Sequence, residues 1–531
     1  MIQKITKQSS FLDADYICER LVPQDSFYRK FKELVTPLIK DEHFEHMYCQ
    51  DNGRPAISPA LLACACILQF YRGLSDREIE RACTFDIEIK HALGLEMDER
   101  PFDHSTLGNF RQRLLEHGQE KMIFDRILQH LVDSGLIKKN EIQRIDATHV
   151  IADIAVPTTI RLIKRGIYDV LNMLKNRRKI IWDRVAKEID VSEYHRKKIK
   201  HDMPGKPDNE RRRNKLMVLV SDARIVLKHI ENLNVCQAFT HRVELLKQML
   251  MENVEEDDKG RAFEIKQKDK PKDLLVSSID PDARFGAKSK TVHFVGYKAN
   301  VTEAVESRFI TNISATRGNV YDGDPMVSLM AQQKPFGLSP EKLIGDTAYE
   351  SGVNRRNLEE EYGIKVAAPL NEKNSALKSI FPKSMFKYDE VKQTVTCPKG
   401  ITTNEYWSDK RGMKSFHFAE SKCETCDWQE RCTNSFDGTR KIGISLWHKQ
   451  QVEAEKHNKT ALFKEEMKLR QPIEGKHSEM KRYHGMTRAR YRGLQKVGFQ
   501  FFLTATAVNI KRWMSMALEK IKPKKAILLP V

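Results

Sequence analysis

The stretch from Pro340 to Ala368 constrains the fold most. Leu343 and Ile344 continue a short apolar run, Gly345 permits a sharp turn, and Asp346 stands where a strand gives way to a helix beginning at Thr347. A helix over about Gly352 to Tyr362 and a further strand, Ile364 to Ala368, follow. Strand, helix and strand in so short a span make a parallel crossover, and parallel strands need helices on the faces of their sheet. Asp346 itself has two readings, a cap for the next helix or a carboxylate standing clear of the sheet to hold a metal ion.

Other segments share the β texture. In Ile142 to Val150, IQRIDATHV, residues Ile142, Arg144, Asp146 and Thr148 alternate, which predicts a strand carrying Asp146. Leu274 to Ile279, Thr291 to Val301 and Arg308 to Ser314 read as strands, Val320 to Asp324 as a turn and Pro325 to Lys334 as a helix. Parallel crossovers come only after the antiparallel part, so the expected class is α/β: a mixed five-stranded sheet flanked by helices.

Residues 1–138 read as an all-helical domain. Ser58 and Pro59 open an apolar helix, and Ser75 with Glu78 forms a capping box after Gly73, giving a helix-turn-helix outline. A capped start at Asp103 to Ser105 precedes Leu107, Phe110, Leu114 and Leu115, with Arg111 and Arg113 on the other side as candidate DNA contacts or a solvated basic face. The sheet is expected to begin in 139–155 and resume in 271–369. Between them, 156–270 reads as a helical basic insertion with clusters at Lys175 to Lys179, His195 to Lys200 and Arg211 to Lys215. Net charge is +18 over 531 residues, which favours a polyanionic partner, nucleic acid first. No apolar run is long enough for a membrane span, and MIQKITKQSSFLDADYICER lacks a signal-peptide core, so a cytoplasmic location is expected.

Residues 370–450 form a cysteine-bearing insertion. Cys397, Cys423, Cys426 and Cys432 include one CxxC pair and offer four thiolates, enough for a closed structural zinc site, with His417 as a substitute ligand. Four reduced thiols in a small β domain is the other reading. The last part, 451–531, carries helices and a basic tail. Arg470, Glu474, His477 or Ser478, and Lys481 fall along one helical face if Pro472 does not start a new helix, and Glu474, His477 and Lys481 share a face in either case.

One acid on a first strand, one at the end of a later strand and one on a helix beyond the sheet can hold two divalent ions roughly 3.5 to 4 Å apart, Mg²⁺ or alternatively Mn²⁺. Here they are Asp146, Asp346 and Glu474. Around them the sequence resembles the DDE transposases of bacterial insertion sequences, in RIDATHV, NVYDGDP, IGDTAYESG and IEGKHSEMKRYHGMTRARYRGLQKV, and in the N-terminal LSDREIERACTFDIEIKHALGL and HSTLGNFRQRLL. The resemblance implies an RNase H-like catalytic core with Asp146, Asp346 and Glu474 as the catalytic acids. Arg470 and Lys481 match the spacing of a Tyr, Arg, Glu, Lys signature, whereas its Tyr position is Met467. It also implies cleavage at the element's ends, transfer of the freed 3′ hydroxyl to target DNA, a homodimer or larger assembly on paired ends, and a bacterial, nucleoid-associated setting. Arg470, Lys481, Arg488, Arg490 and Arg492 are the expected phosphate contacts near the third acid. A nuclease without strand transfer and an inactive DNA-binding derivative are the alternatives.

Overall fold

A computed structural model describes residues 14–49, 55–195, 209–231, 233–289, 291–370, 380, 381, 383–409 and 412–519. The cluster from His195 to Lys200 beyond its first residue, and the basic tail after 519, lie outside them.

The central sheet has six strands. Gln143–Ile151 lies at its middle, antiparallel to His293–Ala304 on one side and parallel to Lys342–Ile344 on the other; Lys365–Ala367 continues the parallel edge. Arg284–Ala287 and Ile310–Arg317 both pair with the far side of His293–Ala304. Arg284–Ala287 is thus a strand beyond the five expected. Leu274 to Ile279 is not a strand. Leu275 and Val276 are buried, but the Leu275 N–H donates to the Glu252 carboxylate, so side-chain bonding replaces a ladder there. Met326–Ala331 is the only α-helical part of the expected Pro325 to Lys334 helix.

The N-terminal helices follow their caps. The Ser58 side chain accepts from the Leu61 N–H with Pro59 at the first position of Pro59–Arg72, and Ser75 and Glu78 close a reciprocal box on Asp76–Phe85. Helix Pro59–Arg72 is apolar nearly all round because it is covered nearly all round. Its buried side chains form one continuous cluster with Tyr297, Val301 and Ile313 of the sheet and Phe501, Val508 and Trp513 of the last helix, Leu494–Glu519. The texture changes near residue 138, but the core runs through.

The insertion is different. Its helices Thr159–Arg177, Lys179–Glu188, Asn209–Ile230 and Gln237–Asn253 enclose a separate core, with Ile163, Ile167, Val226, Leu246 and Met249 in it. Gly166 permits the closest approach, since a Cβ there would lie 2.8 Å from the Met249 sulfur. The cysteine module carries two small three-stranded sheets. After it, His448–Asn458, Ala461–Arg470 and Pro472–Tyr483 lead back to the sheet, with Pro472 opening a new helix. Among the described residues no helix is long and apolar enough to cross a membrane.

Candidate active site

Register brings the first two acids together. The parallel pairing Gln143↔Leu343 and Arg144↔Ile344, carried two residues further, sets Asp146 beside Asp346. Asp346 then leaves the strand: its Oδ1 accepts the Ala348 N–H at 2.8 Å and caps the short turn Thr347–Tyr349. Capping and facing the cleft are therefore the work of one residue. Gly345 is required by packing, because a Cβ there would fall 2.8 Å from Tyr349 ring atoms.

The Asp146 side chain is only 16% exposed, and its Oδ1 accepts the Ala147 N–H at 2.9 Å. Burial and the neighbouring Asp346 charge push its carboxyl up to about 7, with Asp322 adding to the effect, against the opposing pull of the Ala147 N–H and Arg470. Arg470 ties in the third acid. Its guanidinium stands 3.7 Å from Asp146 Oδ2 and 3.6 Å from Glu474 Oε1. Glu474 is in the first turn of Pro472–Tyr483 with its side chain 69% exposed, so it sits at the rim while Asp146 sits in the floor. The three carboxylates do not close within 4.8 Å of one another. Glu479, the other acid on Pro472–Tyr483, is bound by Lys511 at 2.7 Å and faces Lys476 at 3.6 Å.

Two neighbours of the acids escaped the sequence reading as site residues. His477 is buried with Nδ1 3.8 Å from Asp146 Oδ2, and burial, Lys481 and Arg470 drive its imidazole down to about 3, so it is neutral. Asp322 lies in the NVYDGDP turn, where Lys298 binds it at 2.6 Å and the Val320 carbonyl at 2.7 Å. The motif and the helical face were visible in the sequence, but the long-range placement of these side chains was not.

The arginines divide by direction. Arg488 and Arg492 are exposed, and Arg488 lies on a segment that pairs with the end of the Asp146 strand at Ile151. Arg490 points the other way: Nη1 donates to the Leu74 carbonyl at 2.7 Å and the guanidinium lies over the Phe70 ring. Arg111 is likewise turned inward, paired with Asp76 at 2.5 Å and bonded to Gln69. These two, expected on a DNA-facing surface, join the N-terminal helices to the loop after the third-acid helix. Arg113 stacks over Tyr48 at 4.1 Å. Lys481 is half-buried, and burial with the nearby Lys288 lowers its pKa.

In the cysteine module all four thiols are free and partly buried. Cys397, Cys423 and Cys432 pack on one cluster with Val395, Phe416 and Ile442, yet no three of the four sulfurs lie within 4.8 Å of one another. Among the described residues Glu80, Asp103 and His104 do come that close, where Glu80 accepts from the backbone and ring of His104 and secures a helix start.

Two family models match the chain. One, described as a transposase DDE domain, covers residues 396–514 and so includes Arg470, Glu474, Lys481 and the four cysteines of the module. The other, a transposase domain of the DUF772 type, covers residues 16–113. Asp146 and Asp346 lie outside both stretches. No curated protein and no solved structure matches the chain. Together the two matches support a DDE-type transposase of insertion sequences, and with it a transposase function.

Proposed function

We propose that Asp146, Asp346 and Glu474 are the acids of a two-metal phosphodiester site on an RNase H-like core, and that the protein cleaves the ends of an insertion sequence and joins them to target DNA. The observation that carries this is the strand register, which sets a desolvated Asp146 beside Asp346. Two carboxylates so placed repel each other, and a divalent cation relieves that repulsion. The donor set fits Mg²⁺ or Mn²⁺, being oxygen from carboxylates on three different elements. The Tyr349 hydroxyl, which feels the charges of Asp146, Asp322 and Asp346, is buried without a partner, and so is His477 Nε2. The spread of the acids suits two ions better than one small cage.

Bound there, the ions would activate an attacking oxygen and stabilise a leaving one. The chain's own groups do the rest. Arg470 offsets charge between floor and rim, Lys481 lies one helical face along, and Arg488 and Arg492 offer phosphate contacts beside the end of the central strand. Hydrolysis of an end phosphodiester frees a 3′ hydroxyl. That hydroxyl then attacks a target phosphorus in line, forming one P–O bond as the target's own P–O bond to its 3′ oxygen breaks.

Double-stranded DNA, as transposon ends and as target, is the proposed partner, engaged by a homodimer or larger assembly. Cys397, Cys423, Cys426 and Cys432 are proposed as ligands of a structural zinc, whose binding requires their side chains to rotate inward. The catalytic reading is tested with a duplex bearing the DNA that flanks the coding region. Asp146→Asn, Asp346→Asn and Glu474→Gln should each bind it and fail to cut it in Mg²⁺. Full cutting by any one removes that residue from the site.

A further inference from the structure

Beneath the acids lies an ion pair removed from water. Arg144 is 1% exposed and Glu303 0%, directly opposite each other across the antiparallel strands, with Arg144 Nε donating to Glu303 Oε2 at 2.7 Å. Burying two charges carries a desolvation cost that an apolar pair of similar volume avoids, so such a pair is weak evidence for stability. One end of this guanidinium, Nη2, is buried with no partner. What the pair specifies is a better guide to its use.

It holds both sides of the joint that carries the third acid. Arg144 Nη1 donates to the Leu469 carbonyl at 2.7 Å, in the last turn of Ala461–Arg470, where carbonyls lack helical partners. Glu303 Oε1 faces Lys476 Nζ at 3.7 Å, and Lys476 is a 5%-exposed residue of the next helix, Pro472–Tyr483. Between these two anchors stand Arg470 and Glu474. Glu474 is itself exposed and reaches the other acids through Arg470 alone, so its position follows that of its helix.

The surrounding backbone departs from regularity at the same place. Strand register shifts between Thr302 and Glu303, the kind of bulge that re-aims a side chain. Arg308, a non-glycine residue at φ +66°, donates its Nε to Glu303 Oε1 at 3.1 Å. Arg144 and Asp146, two apart on one strand, share a face. The anchor therefore sits next to the first acid and fixes the third.

We propose that Arg144 and Glu303 are positioning residues, which set the helix of Glu474 against the strand of Asp146 and so fix the spacing of the two acids. This rests on Glu474 being the third acid. The test compares the wild type with Arg144→Met/Glu303→Leu, in which an apolar pair replaces the charged one. Melting temperature, affinity for the flanking-DNA duplex, cleavage rate and half-saturating Mg²⁺ are measured. The double variant should melt below the wild type, because Lys476, Arg308 and the Leu469 carbonyl lose partners. Per folded molecule it should bind the duplex as the wild type does, cleave about 10²-fold more slowly, as expected for a misplacement of about 1 Å, and need more Mg²⁺. If it does not fold, Arg144→Lys keeps the charge but loses the fork, and should bind normally while cleavage per folded molecule falls. Undiminished cleavage per folded molecule, with an unchanged Mg²⁺ requirement, overturns the positioning role alone. Absence of Mg²⁺-dependent cleavage by the wild type overturns the catalytic reading and this role with it.

Discussion

The acid cleft and the cysteine module both carry side chains of the kinds that can ligate metals, but the fold prepares them to different degrees. In the cleft, strand pairing places Asp146 beside Asp346, and the surrounding core is continuous from the N-terminal helices to the last helix. In the module, a small core around Val395, Phe416 and Ile442 supports four partly buried thiols whose sulfurs are not yet gathered. A hard-ligand site on a large sheet is organised by the chain itself. On the proposed zinc reading, a soft-ligand site on a small core would depend on its ion to close, because metal binding there would also be folding free energy.

Removing one candidate ligand from each region should affect the two very differently. Asp146→Asn should leave the fold intact and lower cleavage of the flanking-DNA duplex by at least about 10³-fold, which is about 4 kcal/mol of transition-state stabilisation. Cys432→Ser should do the reverse: cleavage residues stay in place while amide exchange quickens across 387–444 and stays slow in Gln143–Ile151. Elemental analysis of the purified protein should find about one zinc per chain, the load of a single four-thiolate site. Absence of zinc would leave the module a set of reduced thiols.

Much of this contrast was legible in the sequence. The alternation in IQRIDATHV, the strand-to-helix junction at Asp346 and the helix caps at Ser58, Ser75 and Asp103 are local, and local patterns survive into the structure. What depended on distant partners was not legible. Leu274 to Ile279 has strand composition but packs as an irregular segment against Glu252, and Arg284–Ala287, with a glycine inside it, pairs as a strand. Arg490 sits between two outward arginines and turns inward because Leu74 and Phe70, over 400 residues earlier, receive it. Arg111 is taken by Asp76 in the same way. Charge runs show where cations are plentiful, and only tertiary contacts show which of them face water.

The inward and outward arginines should behave differently when removed. Arg490→Ala should lower the melting temperature, since it removes a hydrogen bond to the Leu74 carbonyl and a cation over the Phe70 ring, together about 1–3 kcal/mol. Arg488→Ala and Arg492→Ala should leave melting unchanged and each reduce the slope of log affinity against log salt by about 0.9. A lower melting temperature for the outward pair and none for Arg490 would reverse the assignment.

A smaller effect tests the joint between the module and the third-acid helices. His448 opens helix His448–Asn458 against Tyr388 of the module, and burial with the nearby Lys383 drives its imidazole down to about 4. An unfolded histidine takes its proton near 6.5. Between those values the unfolded chain holds more protons, so stability is present above about 6.5 and falls as pH drops toward about 4. Melting curves over that range should flatten in His448→Gln. An unaltered pH slope would place the titration elsewhere.

On this reading Asp146, Asp346 and Glu474 act as one metal-dependent site. The most direct measurement is end cleavage of the flanking-DNA duplex by the wild type and the three single variants, with Mg²⁺ and without. The wild type alone, and only with the metal, should give a 3′ hydroxyl product, while all four proteins bind the duplex. Metal-independent cutting, or full cutting by any of the three variants, would contradict it.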